Sequence, residues 1–280
     1  VDREWEMSVS GGTKSLNKTG IEYLDYSWNF YSGCRHTLDI CPVSDKCWAR
    51  TGAHRFGRSF EPTLHPEKLL DPLSLKKPSR IGVCFTGDLF GDWVDPEQNV
   101  IMNVTKSMPI ANNFGLQAEA NDKLRNWVFN ALSRCPQHQF FFLTKNPKGY
   151  LKWGEFHDNA WLGATVTRCW DGNKSPAEAL KVIENVGNAD CKHRWISFEP
   201  LIDWSDAGQF NWGDSYGILK RNKIEWVVIG GWSGSKGRQP KLEWVEEIIK
   251  AAKDVGIKVF LKNNLLPLMG AKMMKLKEVP

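Results

Sequence analysis

The sequence has no apolar run long enough to cross a bilayer. Its longest, such as "QFFFLT" and "WVVIGG", are far short of the roughly 20 residues a spanning helix needs. Its first residues, "VDREWEMSVSGGTKSLNKTG", lack the basic-then-apolar pattern of a secretory leader, so a cytoplasmic protein with no membrane association is expected. Internal repeats and low-complexity tracts are missing too. Cysteine is scarce and odd in number, seven in 280 residues, which argues against a secreted disulfide framework. Charge of one sign is also in short supply. With 37 Lys and Arg against 32 Asp and Glu, the net charge is +5, enough to permit a polyanionic partner without demanding one.

What is present is enough apolar sequence, 41%, to bury a sizeable core. Short β-rich runs recur and stop abruptly in small or polar residues. "RIGVCFTGDLF" stops at Thr86-Gly87-Asp88, "HQFFFLTKNP" at Thr144-Lys145-Asn146, and "NAWLGATVTR" near Thr165, Thr167 and Arg168. "HRWISFEPL" ends at Ser197 and Glu199, "IEWVVIGGWSGS" at Gly230, Gly231 and Ser233, and "IKVFLKNN" at Lys262-Asn263. Near-continuous apolar runs suit parallel strands buried on both faces. Between them, "KSPAEALKVIENVG" reads as a helix capped by Ser175, with Glu178 three residues on and Gly187 as its stop. "KLEWVEEIIKAAKDVG" places Leu242, Val245, Ile248, Ile249 and Ala252 on one helical face and closes on Gly256.

Strand starts near Ala160, Arg194, Glu225 and Ile257 give a unit of roughly 30 residues. A strand–helix repeat of this kind makes a (β/α) barrel or an open doubly wound sheet. The expected fold class is α/β, a partial or complete (β/α) TIM-type barrel over 21–270. Residues 1–20 are an N-terminal extension, the polar stretch 103–126 an insertion between helical pieces, and 271–280 a tail. In such a fold the polar strand ends converge on one face, where the site is sought.

The one cysteine cluster, "SGCRHTLDICPVSDKCWAR", puts Cys34, Cys41 and Cys47 on the loop that leaves the first predicted strand, "GIEYLDYSWNFYSGC". Three readings are open. A structural zinc site wants four thiolate or imidazole ligands, for which His36 or His54 is available as the fourth. A [4Fe–4S] cluster held by three thiolates keeps one iron open. Unrelated core or surface thiols are the third. Arg50, Arg55 and Arg58 give the loop a basic flank, suited to phosphate or to balancing thiolate charge. Fourteen Trp are unusual, and any that are exposed could stack on bases.

Seven pieces in order, "SWNFYSGC", "KCWAR", "LHPEKLLDPLSLKKPSRIGVCFTGDLF", "CPQHQFFFLTKNP", "AWLGATV", "WISFEPLIDW" and "IEWVVIGGWSG" followed by "IKVFLKN", make the chain similar to the phage-encoded three-cysteine-motif proteins, from about Ile21 to Asn263. That family resembles radical S-adenosylmethionine enzymes in its cysteines and barrel. The sequence departs from the family pattern in four places. Ile40 stands for a glycine, three extra residues separate Cys41 from Cys47, and Trp48 and Trp232 replace a usual Tyr and Glu.

The resemblance implies a [4Fe–4S] cluster on Cys34, Cys41 and Cys47, with S-adenosylmethionine on the open iron. It implies cleavage of the S–C5′ bond and hydrogen abstraction by the 5′-deoxyadenosyl radical. A reductase or other electron donor follows as a partner, and a nucleic acid or nucleotide as the substrate. Gly87, Asp88, Ser197, Gly230, Gly231 and Ser233 are then candidates for holding the cofactor, and Glu199, Lys145 and Lys262 for catalysis. Plainer roles stand beside these: Asp88 as a cap, Glu199 in an ion pair with Lys145 or Lys262, and the glycines as a tight turn. Two other functions fit the residues. One is a zinc-stabilised barrel that binds nucleic acid without redox chemistry. The other is a hydrolase whose Asp88 and Glu199 hold a divalent metal.

Overall fold

The computed structural model describes residues 16–105, 117–168, 177–204, 212–233 and 238–280. They fall into two compact units, one of 16–35, 46–105, 117–142 and 156–160, the other of 36–45, 143–155, 161–168, 177–204, 212–233 and 238–280.

The first unit contains β1 (Asn17–Lys18), β2 (Tyr26–Trp28), β3 (Tyr31–Ser32), β4 (Thr63–Leu64), β5 (Arg80–Val83), β6 (Asn99–Thr105), β7 (Gln117–Lys123) and most of β8 (Gln139–Thr144). Its sheet runs β1-β2-β5-β8, antiparallel at β1 and parallel thereafter, with Trp28 beside Val83 and Val83 beside Phe142. Aromatics fill the space against it. Trp28 is fully buried, packs on Phe30 at 4.6 Å and meets Phe140 edge-on at 5.6 Å, while its Nε1–H donates to the Lys68 carbonyl. Phe142 meets Phe90 and Phe156 in the same edge-on manner. Helix α1 (Trp48–Arg55) follows the cysteine loop, and α2 (Leu124–Arg134) buries Leu124, Trp127, Val128, Ala131 and Leu132.

Of the stretch expected to be an insertion, residues 103–105 and 117–123 belong to two antiparallel strands and 124–126 open α2, while 106–116 lie outside the described residues. Strand β6 pairs with β7 from Asn99↔Lys123 to Thr105↔Gln117. Such pairing is carried by backbone hydrogen bonds, which a polar, weakly periodic sequence can make as well as an apolar one.

The second unit contains β9 (from Trp161 of Ala160–Thr165), α3 (Ala177–Gly187), β10 (His193–Phe198), α4 (Trp212–Arg221), β11 (Trp226–Ile229), α5 (Leu242–Asp254) and β12 (Lys258–Leu261). Strands β9 to β12 pair in sequence order and all in parallel. Their starts fall within one residue of those read from the sequence. Side chains alternate as the pleat requires. Ala164, Ile196, Phe198, Val227, Ile229, Val259 and Leu261 join one apolar cluster with Ala179, Ile183, Ile218, Leu219, Val245, Ile248 and Ala252 of the helices. Helix α5 thus buries Val245, Ile248 and Ala252 as expected. Leu242, placed on the same face by spacing, is 40% exposed at the start of the helix. Gly256 closes it at φ +76°. Ser175, expected to cap α3, lies outside the described residues.

Residues beyond 270 are held rather than loose. The Glu278 carboxylate accepts from the Val259 N–H at 2.8 Å and pairs with Lys253, and its carbonyl accepts from Trp226 Nε1. Eight strands of largely parallel sheet, four in each unit, with their helices make the fold mixed α/β. Among the described residues no helix is long and apolar enough to cross a membrane.

Candidate functional site

The opposite face of the second unit's sheet is not covered by that cluster, and it changes character along the strands. Register places Gly163, Trp195, Trp226 and Lys258 in one row and Thr165, Ser197, Val228 and Phe260 in the next. Trp195 and Trp226 are fully buried, with rings 5.1 Å apart. One row further toward the C-terminal ends come Thr167, Glu199, Gly230 and Lys262. A floor of indoles therefore gives way to hydroxyls and then to charge, because the runs that drive burial end where the sheet does.

In that last row Glu199 Oε1 accepts from Lys262 Nζ at 2.5 Å, both side chains being about one-fifth exposed (20% and 18%). Gly230 makes room for the pair. A Cβ there would lie 3.1 Å from the Glu199 side chain, tighter than ordinary contact. Beneath Glu199, Ser197 is 1% exposed and its Oγ has no hydrogen-bond partner among the described residues. A buried orphan hydroxyl costs free energy and needs a reason. Lys145 is half-buried after the end of β8.

The glycine-rich turn is braced by a residue that strand-end reading missed. Asn264 accepts from the Gly231 N–H at 3.1 Å and donates to the Gly231 carbonyl and to Ser233 Oγ. The Gly230 N–H is donated to the Phe198 carbonyl. The backbone N–H groups that a tight glycine turn could aim at an anion are thus already hydrogen-bonded. Asn264 sits two residues after Lys262 in "LKNN", and only its return to the preceding strand's loop reveals the role.

In the first unit the chain entering Cys34 is tied to the loop after β5. Gly33, at φ +83°, bridges Gly87; its N–H donates to Thr86 and its carbonyl accepts from the Asp88 N–H. A Cβ on Gly87 would sit 2.6 Å from the Gly33 carbonyl oxygen, and one on Gly33 would collide with that of Glu61. The Cys34 N–H donates to the Phe60 carbonyl. Asp88 is buried and its Oδ1 accepts from the Phe90 N–H at 3.0 Å, bracing the turn after β5; among the described residues no helix follows there for it to cap. Cys84, in the same loop, takes a left-handed φ of +57°, and burial pushes its thiol well above the usual range. Burial likewise raises Tyr31 in the adjoining strand.

A second pair went unread in the sequence. Ser32 Oγ lies 2.9 Å from His65 Nε2, and His65 Nδ1 is 3.9 Å from Glu67. Burial, then Lys68, lower the His65 pKa.

Cys34 and Cys47 are half-buried and Cys41 is buried, and none of the three is in a disulfide. Cys47 stands at the start of α1, and Cys41 sits in a turn in which its N–H donates to Thr37 and its carbonyl accepts from Ser44. Three thiols outside any disulfide fit an iron–sulfur cluster in donor chemistry. Among the described residues, however, no three or more His, Cys, Asp or Glu side chains are gathered closely enough to hold a metal ion.

No curated protein matches the chain, and no solved structure does. A family model does match, over residues 18–118 and 115–265. The chain therefore belongs to the family described as "Protein of unknown function (DUF5131)".

Proposed function

We propose that the protein is a radical S-adenosylmethionine-type enzyme acting on a nucleic acid or nucleotide, with its parallel strands forming part of a (β/α) barrel. The observation that carries this reading is the position of the thiols. Cys34 follows directly on Gly33, which is clasped to Gly87 and Asp88 at the end of a parallel strand, and Cys34, Cys41 and Cys47 all lie outside any disulfide. They are the residues that would hold a [4Fe–4S] cluster. When bound, such a cluster supplies an electron and an open coordination position for the cofactor's amino and carboxylate groups.

The chain's own groups take supporting roles. Asp88, held in place through its bond with the Phe90 N–H, sets a carboxylate at the strand end for an ammonium. Ser197 has an unused buried hydroxyl below the Glu199–Lys262 pair, suited to a ribose hydroxyl or a substrate edge. The basic flank of Arg50, Arg55 and Arg58, together with the likeness to phage-encoded proteins, supports a nucleic acid or nucleotide as substrate. A separate reductase would provide the electron.

The test is iron, acid-labile sulfide and zinc content after anaerobic purification, on the intact protein and on Cys34→Ala. About four iron and four sulfide per chain, lost in the variant, are expected. Stoichiometric zinc without sulfide would replace the redox reading by that of a zinc-stabilised binding module.

A further inference from the structure

We infer that the outer face of helix α1 is a docking strip for single-stranded nucleic acid, built from two aromatic platforms and a basic edge. On this helix Trp48, Thr51, Gly52 and Arg55 lie within one arc at i, i+3, i+4 and i+7. The Phe56 N–H still donates to the Gly52 carbonyl, so Phe56 stands one turn above Gly52 on the same side. Both rings are turned to solvent. Trp48 is 66% and Phe56 74% exposed. Between the rings a Cβ at Gly52 would meet nothing within 4 Å, so the space above the backbone is open.

Charge names the occupant. Residues 46–60 include Lys46, Arg50, Arg55 and Arg58 and not one Asp or Glu. The flanking acids are the exposed Asp45 and Glu61, the latter paired with Arg35 at 3.0 Å, and Arg50 lies over the Phe60 ring. Arg55 and Arg58 are exposed and make no ion pair among the described residues. A second copy of this strip would be repelled by it, and an apolar protein partner would leave these cations unanswered. A single strand satisfies both features, since every base has a face to stack and every nucleotide brings a phosphate. The rings are about 12 Å apart along the axis, the rise of eight residues, against about 3.4 Å per stacked nucleotide step. Each ring therefore takes a separate base, with others bridging over Gly52.

The inference rests on the proposed function only in choosing a nucleic acid; the strip itself needs no cluster. The test is anisotropy of a fluorescein-labelled 12-nucleotide single-stranded DNA with the full chain, before and after anaerobic iron–sulfide reconstitution. Binding is expected in both states, with the matching duplex bound more weakly. Trp48→Ala and Phe56→Ala should each lower affinity on the order of tenfold, and Trp48→Phe should restore most of it. Arg55→Ala with Arg58→Ala should flatten the slope of log K against log salt by about 1.4, at about 0.7 for each phosphate no longer neutralised. No binding, binding indifferent to both ring variants, or equal affinity for the duplex would each overturn the strip. So would self-association that Trp48→Ala abolishes. Binding without iron in a chain that cannot be reconstituted would sink the cluster reading and leave the strip standing.

Discussion

Glu199→Gln, Lys262→Met and the double variant together measure the charged pair at the strand ends. At 2.5 Å, and with an effective dielectric of about 20, the gross attraction is roughly 6–7 kcal/mol. Most of that is offset by the desolvation of both groups. Breaking one side of a fully buried pair typically costs about 3–5 kcal/mol, because the survivor is left charged and alone. Here each side chain keeps about one-fifth of its exposure, so water can reach the survivor, and about 2 kcal/mol per single variant is the reasoned figure. The double variant leaves no stranded charge and should cost less than the two singles together, a coupling of about 1–2 kcal/mol. Urea unfolding followed by tryptophan fluorescence reads this directly. With a slope of about 3 kcal/mol/M, each single variant moves its midpoint down by about 0.7 M and the double by less than their sum. Additive singles would mean that water screens the two groups as well in the fold as outside it, and that the pair carries no coupling.

Gly163→Ala would drive a Cβ into the Trp195 indole, which is fully buried, and overpacking there should cost about 2 kcal/mol or more in the same assay. Gly20→Ala, where a Cβ meets nothing within 4 Å, is the matched control and should be near neutral. For Asp25, burial raises the carboxyl pKa, but hydrogen bonds from the Arg80 side chain and backbone, and its charge, outweigh burial and hold it below 3.8. A carboxylate lowered by folding stabilises the protein above its unfolded pKa and loses that contribution as pH falls through the folded value. Asp25→Asn should therefore flatten the acid side of the stability profile below about pH 4, and an unchanged acid limb would count against the pair.

Strands β9 to β12 were legible because each is buried on both faces, and full burial writes an unbroken apolar run bounded by turn residues. Helix α5 was legible for the related reason that one stripe must face the sheet, as Val245, Ile248 and Ala252 do. The β6–β7 pairing was not, since it is written in backbone hydrogen bonds. Of the site, strand-end chemistry narrows the partner of Glu199 to two lysines, of which the fold selects Lys262. Asn264 clasping Gly231, and Ser32 beside His65, depend on loops meeting across 33 residues of sequence in each case, and no local pattern encodes such a meeting. The unpartnered state of Ser197 Oγ is likewise a property of its surroundings, not of its neighbours in the chain.

The clasp between Gly33 and Gly87 has a consequence for how this loop can change over generations. Two backbones in direct contact, with no side chain to compress or re-rotate, leave no slack on the approach to Cys34. A residue gained or lost before that thiol would shear both strand-end loops at once, and a substitution at either glycine would wedge them apart. Variation in length is thus channelled to the far side of the first cysteine. There five residues separate Cys41 from Cys47. The first thiol acts as a fixed post, and the rest of the loop as a tether whose length selection is free to adjust.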